Sequence, residues 1–287
     1  MSVGGALGVY LTGELLDGFG PHNWRWVFLA YSVPGVAWAA WFYLWFRDHP
    51  AEHAGVGAAE LDAIGGDAVR KSGPPEPTPW GTILSSPAMW WICGQQFFRA
   101  AGYIFFASWF ATFLQEARGV TALREVGFQT SLPLLGVVFG SLLGGALSDW
   151  VLTRTRSRRL ARQGLAVVSL LLCAGLILLA YAVADVWLAV LLISAGSFWA
   201  GVAGPCGYSI TIDMGGRHVT MVFSMRNTAG NVGAAVFPSV VPGLVAWTGS
   251  WDLVLFVFAG VYVAAALCWL PFDPERSIVG PPAAAGE

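Results

Sequence analysis

Residues 126–159 read VGFQTSLPLLGVVFGSLLGGALSDWVLTRTRSRR. No charged side chain occurs between positions 126 and 148, and arginines then follow at 154, 156, 158, 159 and 162. A helix that crosses the hydrocarbon core of a bilayer needs about 20 mostly apolar residues, and cytoplasmic loops carry an excess of lysine and arginine. The stretch therefore predicts a membrane-spanning helix that ends in a cytoplasmic loop.

The composition of the whole chain agrees with this interpretation. Of its 287 residues, 56% are hydrophobic and 11% are charged, whereas soluble domains carry about 25% charged residues. The net charge of -2 gives no basic surface for nucleic acid. The four cysteines are too widely spaced for a zinc or redox motif, and no cofactor is implied. The histidines fall in loops and no nucleophile has an evident base, so an enzyme is not expected.

Apolar runs of similar length recur along the chain. They lie at residues 1–20, 26–46, 84–114, 163–184, 186–212, 227–251 and 253–272, which with 126–148 makes eight spans. The beginning of the first span is either missing or very short. Residues 47–85 are polar and rich in proline and glycine, which is typical of a linker between helical bundles. We therefore expect an all-α membrane protein with about eight transmembrane helices.

The placement of basic residues predicts the orientation of these spans. Basic residues concentrate in the linker, in the loop after the fourth span, in the loop after the sixth span and in the C-terminal tail. The opposite loops carry only Arg25, Arg118 and Arg124. The linker, the arginine-rich loop and both termini are therefore expected on the cytoplasmic side. Arg226 is interpreted as the edge of the loop before the seventh span.

The end of the fourth span resembles the loop motif of the major facilitator superfamily, a glycine, three residues, an aspartate and then basic residues. Gly145, Asp149 and Arg154 fill the matching places, and Trp150 replaces the usual basic residue after the aspartate. The resemblance implies a cytoplasmic latch between helices during alternating access. From the residues alone, Gly144 and Gly145 allow close helix contact, and Asp149 can pair with the arginines or cap a helix. A plain positive-inside loop is the alternative.

Several further stretches resemble the anion:cation symporter branch of that superfamily. They are NWRWVFLA, WFRDHPAEHAGVGAAELDAI, GYIFFASWFATFLQEARGV, SLPLLGVVFGSLLGGALSDW and MRNTAGNVGAAVFPSVVPGL. Members of this branch include sugar-acid permeases and vesicular glutamate carriers, and they have twelve helices in two bundles. The resemblance implies that the chain matches helices 5 to 12. Residues 1–46 would be the last two helices of the N-terminal bundle, 47–85 the cytoplasmic linker, 86–273 the six-helix C-terminal bundle and 274–287 the cytoplasmic tail.

The same resemblance implies a function in the bacterial inner membrane. A carboxylate such as a sugar acid would be carried with protons, or with sodium, by alternating access, and the helices would contact lipid. The family's first four helices have no counterpart in the chain, and they would lie on the same or another polypeptide. The alternative is a truncated transporter or half-transporter remnant that needs a partner chain.

Arg99 is the one charged residue of the third span. Charged residues inside membrane spans usually face a cavity and serve transport, and the guanidinium fork suits a carboxylate. Arg99 also aligns with an arginine of the vesicular glutamate carriers, which implies substrate contact. The alternative is that its side chain reaches the inner headgroups.

Tyr103 lies one turn further along the helix than Arg99 on the same face, and it either donates to the same anion or contacts lipid. Gln95 and Gln96 lie a turn nearer the cytoplasm, where they would line the entry.

The sixth span contains several small and polar residues. Its glycines and Pro205 are expected to interrupt the helix, as helices around transport cavities tolerate. Ser197, Trp199 and Tyr208 would line the cavity by resemblance to the family's tenth helix. Ordinary packing is an equal explanation for Trp199.

The seventh and first spans add polar candidates. Asn227 and Asn231 are four residues apart and share a helical face. They either join helices by hydrogen bonds or contact substrate, and the resemblance favours Asn231 for the latter. Glu14 and Asp17, near the outer end of the first span, are acidic groups for proton coupling or ordinary loop-edge residues.

Overall fold

The computed structural model describes residues 2–20, 22, 24–48, 50–53, 55–63, 77–271, 273–274 and 277–278. Over these residues the backbone is almost entirely helical and contains no β-strand. The α-helices are α1 (Ser2–Phe19), α2 (Trp24–Trp45), α3 (Ala58–Ala63), α4 (Trp80–Ser85), α5 (Pro87–Ile104), α6 (Phe110–Glu116), α7 (Leu123–Thr155), α8 (Leu165–Tyr181), α9 (Val186–Gly215), α10 (Val219–Thr248) and α11 (Asp252–Leu267). Turns of π-helix at Phe105–Trp109 and Arg159–Gly164 join α5 to α6 and lead into α8.

The chain divides into two compact units. The first comprises Met1–Asp17 and Pro79–Glu287, and the second comprises Gly18–Thr78. Within the second unit, aromatic rings at i, i+4 spacing stack along α2, with ring centroids of Trp38 and Phe42 5.0 Å apart. The predicted bundle boundaries at 46 and 85 stay predictions. Most of the linker's middle and of the tail, including Arg70, Lys71 and Arg276, lies outside the described residues.

Every predicted span coincides with helical structure. Six helical segments are long and apolar enough to cross a membrane: Trp24–Trp45, Pro87–Glu116, Leu123–Thr155, Arg159–Tyr181, Val186–Gly215 and Val219–Thr248. The helix α11 is apolar but shorter, and α1 has 18 residues. The prediction of an all-α, multi-pass membrane protein is confirmed.

Close contact between α7 and α9 organises the first unit. A stripe of glycines on α7 faces the α9 backbone, so that a Cβ on Gly144 would lie 2.7 Å from the Cα of Val202. Real Cβ atoms do not approach other atoms so closely, so the contact requires glycine. A Cβ on Gly145, by contrast, would meet no described atom within 4 Å. The helix contact expected of both glycines is therefore made by Gly144.

The helix α1 packs on the first turns of α7. A Cβ on Gly13 would lie 3.0 Å from the Cα of Gly127. One turn away, the Arg124 Nε atom donates to the Glu14 carboxylate over 2.7 Å. Glu14 thus has an arginine partner, and α1 is held to α7 by both backbone contact and charge.

Two expectations about helix boundaries were wrong. The helix α9 continues through Pro205 instead of breaking there. Proline has no N–H to donate to the carbonyl four residues earlier, and the Ser141 hydroxyl of α7 donates to that oxygen, on Gly201, over 3.3 Å. The helix α10 begins at Val219 instead of near 227. Arg226 therefore lies inside a membrane-spanning helix and not at a loop edge.

We predict that Gly144→Leu destabilises the protein while Gly145→Leu leaves it nearly unchanged. The leucine at 144 must push α9 away, and overpacking of this kind costs about 1 to 3 kcal/mol. Thermal unfolding of the two variants in the same detergent measures the difference. Equal melting temperatures for the two variants would contradict the α7–α9 contact described here.

Candidate functional site

Arg99 lies in the interior of α5. It is about 18 Å along the helix from its first residue, and its side chain is partly buried. The Nε atom donates to the Gln96 side-chain oxygen over 3.2 Å. Because Gln96 precedes Arg99 by three residues, both side chains lie on one face of α5. The glutamine, which was expected to line an entry, accepts a hydrogen bond from the arginine, and its place at an entry stays a prediction.

A second arginine reaches the same glutamine from another helix. Arg226 lies about 10 Å along α10 from its first residue, and 1% of its surface is exposed. Its Nη2 atom donates to the Gln96 oxygen over 2.7 Å. Its guanidinium carbon also lies 4.9 Å from the ring centroid of Tyr208 on α9. One amide oxygen therefore accepts hydrogen bonds from two cations, and three helices meet there.

Glycines on the facing helices leave space for these side chains. A Cβ on Gly207 would lie 2.5 Å from Arg226 Nη2, and one on Gly230 would lie 2.8 Å from Gln96 Nε2. A Cβ on Gly204 would lie 3.8 Å from Arg99 Nη1, which places the guanidinium beside α9. Gly207 and Gly230 thus leave room for the long polar side chains of Arg226 and Gln96.

No carboxylate among the described residues balances the charges of the site. Among the described residues the ion pairs are Arg124–Glu14, Arg162–Asp149 and Arg162–Asp213, and none includes Arg99 or Arg226. A buried cation is costly unless an anion accompanies it, and more so at membrane depth.

Further polar atoms around the two arginines lack partners. Arg226 Nε and both side-chain amide atoms of Gln95 are buried without a hydrogen-bond partner in the described structure. Unpaired buried groups of this kind are costly and call for an explanation. An acidic ligand would supply the missing negative charge and an acceptor for the two donors, Arg226 Nε and Gln95 Nε2.

The other predicted site residues differ in how far they are buried within the protein. Tyr103 and Trp199 are partly buried and pack against the hydrophobic core, and Trp199 makes an edge contact with Phe198. Asn227 and Asn231 are exposed on α10. The structure thus brings Arg99, Gln96 and Tyr208 together around Arg226. Tyr103, Trp199, Asn227 and Asn231 make no hydrogen bond or ring contact with that cluster in the described part of the chain.

Two features of the site were not predicted from the sequence. They are the position of Arg226 inside a span and the burial of Gln95. Arg226 was interpreted as a loop edge because the span was begun after the last charge. A signal was nevertheless present, because residues 219–225, VTMVFSM, are apolar and extend the span on the N-terminal side. A span drawn through them would have made Arg226 an intramembrane charge like Arg99.

The predicted loop motif forms a separate polar cluster at the end of α7. Arg162 Nη1 donates to the Asp149 carboxylate over 3.2 Å and to the Ser148 hydroxyl over 2.8 Å. Its Nε atom lies 3.9 Å from the Asp213 carboxylate near the end of α9. Arg154 lies over the ring of the neighbouring Trp150 instead. The aspartate of the motif is therefore paired with Arg162, which joins α7 to α9.

Comparison with known proteins gives a family and several relatives. A family model described as Major Facilitator Superfamily matches residues 1–161 and, in a second match, 125–286. A probable sulfoacetate transporter of Cupriavidus necator is 30% identical over 268 residues, which are 92% of this chain and 61% of the relative. A probable galactarate/D-glucarate transporter of Escherichia coli is 28% identical, over 85% of this chain and 56% of the relative.

A plant relative is more distant. A chloroplastic ascorbate transporter of Arabidopsis thaliana is 27% identical, over 97% of this chain and 50% of the relative. The chain thus spans about half to three fifths of the length of these curated relatives.

We predict that Gln96→Leu destabilises the ligand-free protein more than Gln115→Leu. The first change leaves Arg226 buried without its acceptor, which costs about 1 to 3 kcal/mol or more for a charged group. Gln115 is an exposed glutamine near the end of α6, and its loss is expected to be neutral. Thermal unfolding of both variants measures this, and a Gln96→Leu variant as stable as the parent would contradict the described site.

Proposed function

This chain belongs to the major facilitator superfamily, and from that premise we propose that it forms the substrate-binding part of a secondary transporter that carries an organic anion with protons. The predicted family and its anion:cation symporter branch are confirmed by the match and by relatives named as transporters of anions and sugar acids. These relatives are membrane transporters and not enzymes. The proposed substrate is a sugar acid or another carboxylate.

One observation carries the proposal: two arginines at membrane depth share one glutamine oxygen and have no protein carboxylate among the described residues. Arg99 is the more accessible of the two, since its side chain is partly exposed. Its guanidinium can bind a carboxylate with two parallel hydrogen bonds. Displacing the neutral Gln96 oxygen by an anionic one would strengthen these bonds.

The remaining parts of the mechanism are proposed by resemblance. Tyr103, Trp199, Asn227 and Asn231 would line the path of the substrate, and rocking of two bundles about the site would expose it to each side in turn. The Asp149–Arg162 cluster would act as a cytoplasmic latch that opens and closes. Coupling to protons or to sodium, a bacterial inner-membrane location and a cytoplasmic C-terminus belong to the same proposal.

A second candidate is a half-transporter or remnant that does not transport alone. The observation that favours it is the share of the relatives that the chain covers, 61% and 56% for the bacterial ones above. Two helices of one bundle and six of the other cannot enclose a site between two complete bundles. A partner chain, or further helices of the same chain, would then complete the transporter.

We predict that Arg99→Ala weakens anion binding. Hydrogen bonds to charged groups contribute about 1.5 to 3 kcal/mol, so affinity should fall by about tenfold or more. Binding of radiolabelled D-glucarate and sulfoacetate to the chain in lipid nanodiscs measures this, with the exposed loop variant Arg158→Ala as the matched control. Unchanged binding by Arg99→Ala would remove Arg99 from the proposed site.

We predict that the 287-residue chain alone does not accumulate anions in vesicles. The experiment reconstitutes the purified chain with an inward proton gradient and follows uptake of the same two probes. The expected result is uptake no greater than into empty vesicles, because two helices of one bundle and six of the other leave the path unclosed. Accumulation that a protonophore collapses would contradict the need for further helices and would support proton coupling.

A further inference from the structure

We infer that Arg99 and Arg226 together form a two-cation site that selects an organic dianion, a molecule with two acidic groups, over a monoanion of the same size. The inference rests on the proposed function and adds a substrate class and a specificity-determining residue, Arg226. Neither follows from the loop motif or from Arg99 alone.

The two positive charges are close together. Arg99 Nε lies 3.2 Å and Arg226 Nη2 lies 2.7 Å from the same Gln96 oxygen. The two nitrogen atoms are therefore at most about 6 Å apart, a distance at which like charges repel strongly away from water. The neutral amide oxygen between them only partly relieves this repulsion.

The carboxylates of the protein are placed elsewhere. The described acidic residues of this unit lie near helix ends or in loops: Glu14, Asp17, Glu116, Glu125, Asp149, Asp185, Asp213, Asp252 and Asp273. A monoanion bound between the arginines would leave one positive charge uncompensated at membrane depth. A dianion balances both charges, so its binding relieves more of the cost of burial.

A second acidic group can reach Arg226 when the Gln96 side chain moves. Arg226 is almost fully buried, but the Tyr208 ring that it lies against is 45% exposed. Gln96 forms the bridge between Arg99 and Arg226, so rotation of its side chain frees both guanidinium groups from their shared acceptor. Arg226 Nε and the Gln95 amide, which have no partner in the described structure, are then available to the incoming group.

The alternative is that Arg226 is a positioning residue that holds Gln96 and, through it, Arg99. Loss of Arg226 would then lower the affinity for every anion by the same factor. A two-cation site instead predicts that the ratio of dianion to monoanion affinity changes. This ratio is insensitive to a general loss of structure, so it distinguishes the two roles.

The experiment measures equilibrium binding of two matched pairs of ligands to the full 287-residue chain in lipid nanodiscs. The pairs are D-glucarate with D-gluconate and sulfoacetate with sulfoacetamide, in which the second member has lost one charge. We expect at least one dianion to bind about tenfold or more tightly than its partner. Arg226→Gln should reduce this ratio to near one, Arg226→Lys should keep most of it, and the exposed control Arg158→Gln should leave it unchanged.

A second variant keeps the test decisive if Arg226→Gln does not fold. Gln96→Glu places a carboxylate between the two arginines, so we expect it to raise the melting temperature of the ligand-free chain and to abolish the preference for the dianion. A Gln96→Glu protein with the parent's preference would overturn the inference.

The remaining outcomes separate the inference from the proposed function. If both members of each pair bind equally and Arg99→Ala weakens their binding about tenfold or more, the two-cation site is wrong and the anion site stands. If Arg226→Gln weakens both members of a pair by one factor, Arg226 only positions Gln96 and the inference is wrong. If none of the four ligands binds, both the inference and the proposed function are contradicted.

Discussion

The hydrogen bonds of Arg99 and Arg226 to one glutamine oxygen are the interaction on which the site depends. They join α5 to α10 at membrane depth, and the Tyr208 ring adds α9 to the same point. Such a contact is unfavourable in a purely structural core, because two cations are brought together without a carboxylate. It is favourable in a protein whose ligand supplies the negative charge. The neighbouring glycines at 204, 207 and 230 then leave the space that the site's long polar side chains fill.

The packing around the site suits a bundle that moves as one piece. Glycines at 136, 140 and 144 let α7 and α9 approach to backbone contact. The Ser141 hydroxyl donates to the Gly201 carbonyl, which receives no hydrogen bond from Pro205, and α9 stays continuous. At the far end, Arg162 ties Asp149 to Asp213. The helices α7 and α9 are thus fastened to each other along their length, and α9 contributes Tyr208 to the proposed substrate site.

Much of this architecture could be predicted from the sequence, and what was missed has definite physical causes. The spans follow from apolar length, and Arg99 stood out as a lone intramembrane charge. The loop motif directed attention to Gly145 by its spacing to Asp149, whereas helical periodicity places Gly144 on the face that contacts α9. Arg226 was missed because a charge was used to mark the end of a span. Its burial depends on Gln96 from another helix, a contact that no local pattern records.

An acidic ligand is proposed to bind at Arg99 and Arg226. The most direct measurement is the anomalous scattering of 2-bromosuccinate in crystals of the chain grown from a lipid phase. We expect a bromine peak beside the two guanidinium groups, with the Gln96 side chain turned away from them. A peak confined to the arginine-rich loop after α7, with the Gln96 oxygen still between Arg99 and Arg226, would contradict it.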